Sequence, residues 1–334
     1  MRVSSSQVYR QVTDSLMRNL AEIMRLNGQV SSGKRINKPS DDATGAGRAL
    51  GYKVAIDVGE QYAKNIGDAS NAIGFAENTL GSVSSALVRA KELALQGANG
   101  TQDAASRAAI SKEATQLRDQ ILSLSNSRNG NEYVFSGFKT DVAAFDASYA
   151  YQGDAGAINV MVDRGTMISR NVAGSEAFGY SLPAPETVTI DGGNIVHYIP
   201  GSGMTVNVEI RAADDTTVLD SFHLDNAIQM TDLLSQALSG NDTKRVSALM
   251  KPLDDAMGHV SAVRADLGAR LNRLDDQGKR LGDTKFATQT ALSGLEDADI
   301  ASTVSGIAKA NTALQALQAT TAKILSQSLL DFLR

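Results

Sequence analysis

With 334 residues, the chain is long enough for one large domain or for two to three smaller ones with real cores. Its 32 basic and 37 acidic residues leave a net charge of −5 with no long run of either sign, so neither nucleic acid nor an anionic membrane is expected as a partner. The absence of cysteine excludes disulfides and thiolate chemistry, and the wide separation of His197, His223 and His259 argues against a histidine metal site.

The chain lacks Trp, has five prolines and is 5% aromatic, a composition suited to long helices with a different module somewhere inside. The N-terminus has no apolar core segment or small-residue cleavage site, so no cleaved secretory signal is expected. No uncharged apolar stretch reaches 18 residues, so membrane insertion is not expected, and the default reading is soluble and cytoplasmic.

In chain order, Val8, Val12, Leu16, Leu20, Ile23 and Val30 trace one face of an N-terminal helix. The following GQVSSGKR (28–35) has the glycine and lysine spacing of a phosphate-binding P-loop. A helix rather than a strand precedes it, however, and Arg35 stands where a Mg²⁺-binding hydroxyl belongs. Pro39 also interrupts any helix starting at Lys34. The stretch therefore reads as a turn between helices. Ser40 is the expected N-cap of the next helix, with Asp41 and Asp42 in its first turn favouring the helix dipole. The glycines of Gly45–Gly51 have the spacing of a dinucleotide loop but lack its strand, and the aspartate pair has no third metal ligand at a recognisable spacing.

From Tyr62, apolar or small residues recur at alternating four- and three-residue steps: Ile66, Ala69, Ile73, Ala76, Leu80, Val83, Leu87, Ala90 and Ala94. This is a coiled-coil seam. It stops at GANGT (97–101), and a second run through Ile110, Ala114, Leu117, Ile121 and Leu124 should fold back as an antiparallel hairpin. A distant partner lies at Leu253, Val260, Leu267, Leu274, Leu281 and Leu295, with Pro252 expected in the first turn of that helix. Between these parts the period switches to two, at Ile158, Val160 and Val162 and again at Val206, Val208 and Ile210. VTIDGGNIVHY (188–198) reads as a hairpin around Gly192-Gly193, and His223 as a strand residue.

The C-terminal stretch carries Ile300, Val304, Ile307, Leu314, Leu317, Ile324 and Phe332 at helical spacing. Only Lys309, Lys323, Asp331 and Arg334 are charged there, so this helix should be buried on several sides or wait for partners to bury it. The expected fold is mainly α with an inserted β-rich domain, α+β overall, built on a long antiparallel helical coiled-coil stalk formed by N- and C-terminal segments. The expected domains are terminal assembly helices (1–44 and 296–334), the stalk (45–130 and 231–295) and a β-rich tip (131–230). The expected assembly interface comprises Val8, Val12, Leu16, Leu20 and Ile23 with Ile300, Val304, Ile307, Leu314, Leu317, Ile324 and Phe332. No catalytic residue, cofactor or metal is expected: GxSxG is absent, and no histidine is placed as a base beside a carboxylate.

RLNGQVSSGKRINKPSDDATGAGRAL (25–50) resembles the N-terminal signature of bacterial flagellins and their relatives. QLRDQILSLSNSRNGNEYVFSGFKT (116–140) and VRADLGARLNRLD (263–275) are similar to the branch of that family found at the hook–filament junction, and the last helix resembles the closing helix of both groups. The resemblance covers roughly 1–145 and 250–334. Two departures, Ala43 and Ala144 where the family usually has proline, are expected to loosen local turns. The resemblance implies a secreted structural adaptor, exported through the flagellar type III apparatus without a cleaved signal and located on the extracellular flagellum. Its implied partners are other copies of itself in a tubular lattice, a hook-side hook-associated protein, flagellin and a cytosolic export chaperone. The filament subunit itself is the nearest alternative, and a cytosolic nucleotide-binding enzyme a remote one.

Overall fold

The computed structural model describes residues 2–332, without the side chains of residues 2–6, 8, 191 and 324–332. The chain divides into a terminal unit, up to Gln61 and from Arg280 on, and a middle unit, Tyr62–Lys279. The division falls inside the two longest helices, α2 (Ala43–Ala98) and α6 (Thr243–Glu296).

In the terminal unit, α1 (Arg2–Ser32) packs on α7 (Ile300–Phe332). Leu26 lies against Gly306, and Lys34 pairs with Asp297 beyond the two facing helix ends, so the helices run antiparallel. Among the described apolar side chains of this unit, only Leu26, Ile36, Ala49 and Ala310 are buried.

The middle unit has a continuous core. Every seam position from Ile66 to Ala94 is buried in α2, facing Leu253, Val260, Leu267 and Leu274, which are buried in α6. Ion pairs Lys91–Asp254 and Glu77–Arg264, the latter at 2.7 Å, fix the two segments as antiparallel. The second run forms α3 (Ala104–Ser125), capped by the Asp103 carboxylate, which accepts the Ser106 N–H at 2.8 Å. Its main partner is α5 (Ala227–Ser239), a helix that the sequence reading did not separate from its surroundings.

The inserted segment holds three antiparallel sheets. They are the short pair β1 (Arg128–Asn129) with β2 (Glu132–Tyr133), the hairpin β3 (Asn159–Asp163) with β4 (Thr166–Ser169), and a four-stranded sheet. The last has the order β5 (Glu186–Thr189), β6 (Ile195–Pro200), β7 (Val206–Arg211), β8 (Val218–Leu224). Val206, Val208 and Ile210 alternate inward, and Gly192 and Gly193 turn β5 into β6 with φ of 82° and 77°. A single helical turn, α4 (Gly174–Phe178), brings Phe178 edge-on to Phe135 and Phe145, at centroid distances of 5.1 and 5.5 Å.

Two local expectations are corrected. Pro252 does not open its helix: α6 starts at Thr243, where the Asp242 carboxylate accepts the Arg245 N–H at 3.0 Å. A proline inside a helix leaves the carbonyl four residues earlier without its N–H. Here that carbonyl belongs to Ala248, and the buried Tyr198 hydroxyl donates to it at 2.8 Å. The tertiary contact supplies what the helix lacks. Ser40, in turn, does not cap α2. The cap is Asp42, whose Oδ1 accepts the Gly45 N–H at 2.8 Å, while Asp41 accepts the N–H groups of Asn37 and Lys38 at 3.0 and 2.9 Å. Ala43 opens α2 at a position equally suited to proline, and Ala144 is buried beside Phe145, so neither departure leaves an open turn.

Candidate assembly surface

The corner between α1 and α2 begins at Gly33, whose φ of 69° ends α1 in the left-handed conformation that glycine adopts readily. The chain then runs beside the α6–α7 connection. Arg35 N–H donates to the Glu296 carbonyl at 2.6 Å, and Ala298 N–H donates to the Gly33 carbonyl at 2.9 Å. The Arg35 guanidinium reaches the Leu295 carbonyl at 2.9 Å, and the buried Gln29 amide donates to the Arg35 carbonyl at 2.7 Å. Gly45 permits the close approach of α2, because a Cβ there would lie 2.7 Å from Ile36 Cδ1.

Glu296 is the charge centre of this corner. Its buried Oε1 lies 2.8 Å from Lys53 Nζ and 3.2 Å from Lys34 Nζ. The Lys53 ammonium first, with Lys34 behind it, holds the carboxyl below its usual range against the opposing effect of burial. The Gly45 N–H, with Arg35 adding to it, likewise holds Asp42 below its ordinary value. Lys34 and Arg35, the residues that gave the stretch its P-loop spacing, thus fasten one pair of helices to another. Sequence reasoning identified the turn but missed Glu296, Gln29 and Lys53, whose partners lie beyond any local period.

The structure splits the expected interface residues. Val12, Leu16, Leu20 and Ile23 of α1 and Ile307, Leu314 and Leu317 of α7 are half-buried, whereas Ile300 and Val304 are exposed. The side chains of Val8, Ile324 and Phe332 lie outside the described residues. A second apolar set, which the sequence reading passed over, faces solvent: Met17 at 63% exposure, Met24 at 73%, Leu50 at 63% and Phe286 at 73%, with Tyr9, Val54 and Val58 also exposed. So many large apolar side chains on so few elements make this surface the candidate for contact with other chains. Among the described residues, no cluster of three acidic or histidine side chains could hold a metal ion, and no helix is long and apolar enough to cross a membrane.

Long terminal helices with uncovered apolar faces, flanking in sequence a separately packed unit, define the class, and comparison with known proteins gives it a family. The N-terminal helical region of bacterial flagellin matches residues 3–140, and its C-terminal helical region matches residues 250–333. Flagellar hook-associated protein 3 of Escherichia coli strain K12 is 30% identical, over 95% of this chain and 94% of its own length. The protein of the same name from Salmonella typhimurium is 28% identical, with all of both chains covered. The crystal structure of hook-associated protein 3 from Legionella pneumophila shares the fold, with a TM-score of 0.56 and 19% identity over 73% of this chain and 98% of that one. The chain belongs to the bacterial flagellin family, in its hook-associated protein 3 branch.

Proposed function

We propose that this chain is a structural component of the bacterial flagellum, the adaptor that joins the hook to the flagellin filament. The observation that carries the reading is the uncovered apolar surface of the terminal unit, on a chain whose full-length relatives include two hook-associated proteins. We assign the axial contacts to the helices within 1–44 and 296–334, the helical stalk to 45–130 and 231–295, and the inserted β-rich tip to 131–230. The partners are other copies of this chain in a tubular lattice, a hook-side hook-associated protein, flagellin and a cytosolic export chaperone. The chain leaves the cell through the flagellar type III apparatus without a cleaved signal, and its work is mechanical rather than catalytic.

Immunogold labelling of isolated flagella tests this directly. A single labelled zone at the hook–filament boundary supports the adaptor, whereas label along the whole filament makes the chain a filament subunit. Met24→Asp sharpens the test. It places a carboxylate where another chain should bury an apolar surface, and an unpaired buried charge is strongly unfavourable. Cells carrying it should export the protein yet shed flagellin into the medium, and normal filaments would remove Met24 from the interface.

A further inference from the structure

Within the middle unit, four segments meet around a cavity of about 350 Å³: the loop around 145–151, the end of α4, the β6–β7 turn and the β8–α5 junction. That volume lies within the ~300–1,000 Å³ range of small-molecule sites. Phe145, Tyr149 and Tyr151 line it together with Thr205, Asp225 and Gln229, and no lysine or arginine contributes to the lining.

The rim is held in a conformation that its sequence does not favour. Tyr149 has φ of 69°, in the left-handed region that favours glycine. Asp146 fixes it from one side, its Oδ1 accepting the N–H groups of Ser148 and Ala150 at 2.8 and 3.0 Å and its carbonyl accepting the Tyr149 N–H at 3.0 Å. From the other side, the Asn226 amide donates to the Tyr149 carbonyl at 2.9 Å, and the Tyr149 hydroxyl donates to Asp232 at 3.2 Å. Backbone strain held by this many contacts is characteristic of binding sites and other functional positions.

The polar groups specify the ligand chemistry. Asp225 accepts the Thr205 hydroxyl on Oδ1 at 2.9 Å, and its Oδ2 stands 3.9 Å from His223 Nε2. Gln229 accepts the Asp225 N–H on Oε1 at 2.7 Å, and its amide NH₂ meets no acceptor among the described residues. An anion would find a carboxylate and neither lysine nor arginine here. An ammonium would satisfy Asp225 but leave the Gln229 donor unmatched. A hydroxyl both donates and accepts, so neighbouring hydroxyls on one small ring match both groups.

We propose that this cavity binds a neutral saccharide unit, with Asp225 accepting from one hydroxyl, Gln229 donating to its neighbour and the Tyr149 and Tyr151 rings packing on the C–H face of the ring. Saturation-transfer NMR on the purified full chain tests it. The probes are the methyl glycosides of glucose, galactose and N-acetylglucosamine, with choline as the cationic control. At least one glycoside should give transfer. Asp225→Ala should weaken that binding about tenfold, the loss of one hydrogen bond to a charged group, at an unchanged melting temperature. Ala150→Trp, which fills the cavity from an exposed position, should abolish it, and this variant decides the matter if Asp225→Ala fails to fold. Silence from every glycoside, transfer from choline alone, or transfer that survives Ala150→Trp would each overturn the assignment.

Discussion

The two units of this molecule follow opposite rules. In the middle unit the α2 seam is buried from Ile66 to Ala94, and the four-stranded sheet turns Val206, Val208 and Ile210 into a core of its own. The terminal unit buries few apolar side chains and leaves Met17, Met24, Leu50 and Phe286 to solvent, relying on polar clips such as Lys53–Glu296 for its local order. The difference lies in what orders each unit: a continuous apolar core in one, polar contacts around few buried apolar side chains in the other. Stability and assembly should therefore respond to different substitutions.

The largest effect is expected in the middle unit. Leu80→Ala and Leu267→Ala each remove a fully buried side chain and should cost about 2–5 kcal/mol. Urea denaturation followed by circular dichroism measures it, and unchanged midpoints for both would break the comparison at its strong end. Next comes the proline compensation in α6. Tyr198→Phe strands the buried Ala248 carbonyl and should cost about 1–3 kcal/mol. Pro252→Ala in that background restores an N–H for the same carbonyl, so the double mutant should be more stable than Tyr198→Phe alone. Additive losses would disprove the link.

In the terminal unit, Asp42→Ala should loosen the start of α2 through the lost cap, and Ser40→Ala should change next to nothing. Hydrogen exchange at the start of α2 distinguishes the two.

Alkali gives a contrast without mutation. Burial above all, aided by the negative charge of Asp255, pushes the Tyr180 and Tyr198 phenols above the ordinary value of 10.0. Their neutral forms are retained on folding, so the stability they contribute is complete below that pH and drains as pH rises past it. Tyrosine absorbance should show these two phenols ionising only as the middle unit opens in alkali, and their ionisation near the ordinary value with that unit intact would contradict this. The smallest effect on the lone chain belongs to Met24→Asp, an exposed position where stability should move by no more than about 0.5 kcal/mol while filaments are lost.

The sequence by itself determined whatever repeats along the chain. The heptad seam, its distant partner and the Gly-Gly hairpin were readable, because helices and strands write their buried faces as periods of 3.6 and 2, whereas the turn read at 28–35 begins only at Gly33, after α1 has run through Ser32. The apolar surplus of the termini was readable too, as a charge-poor helix with nothing local to cover it. Only the tertiary structure decided the contacts that have no period. It joined Glu296 to Lys34 and Lys53 and gave the Ala248 carbonyl to Tyr198. It chose Asp42 over Ser40 as the cap, set α5 against α3 and covered Leu16, Leu20 and Ile23 in part while leaving Met17 and Met24 bare. A hydrogen bond between residues far apart in the chain is specified by geometry, and geometry exists only after the periodic parts have packed.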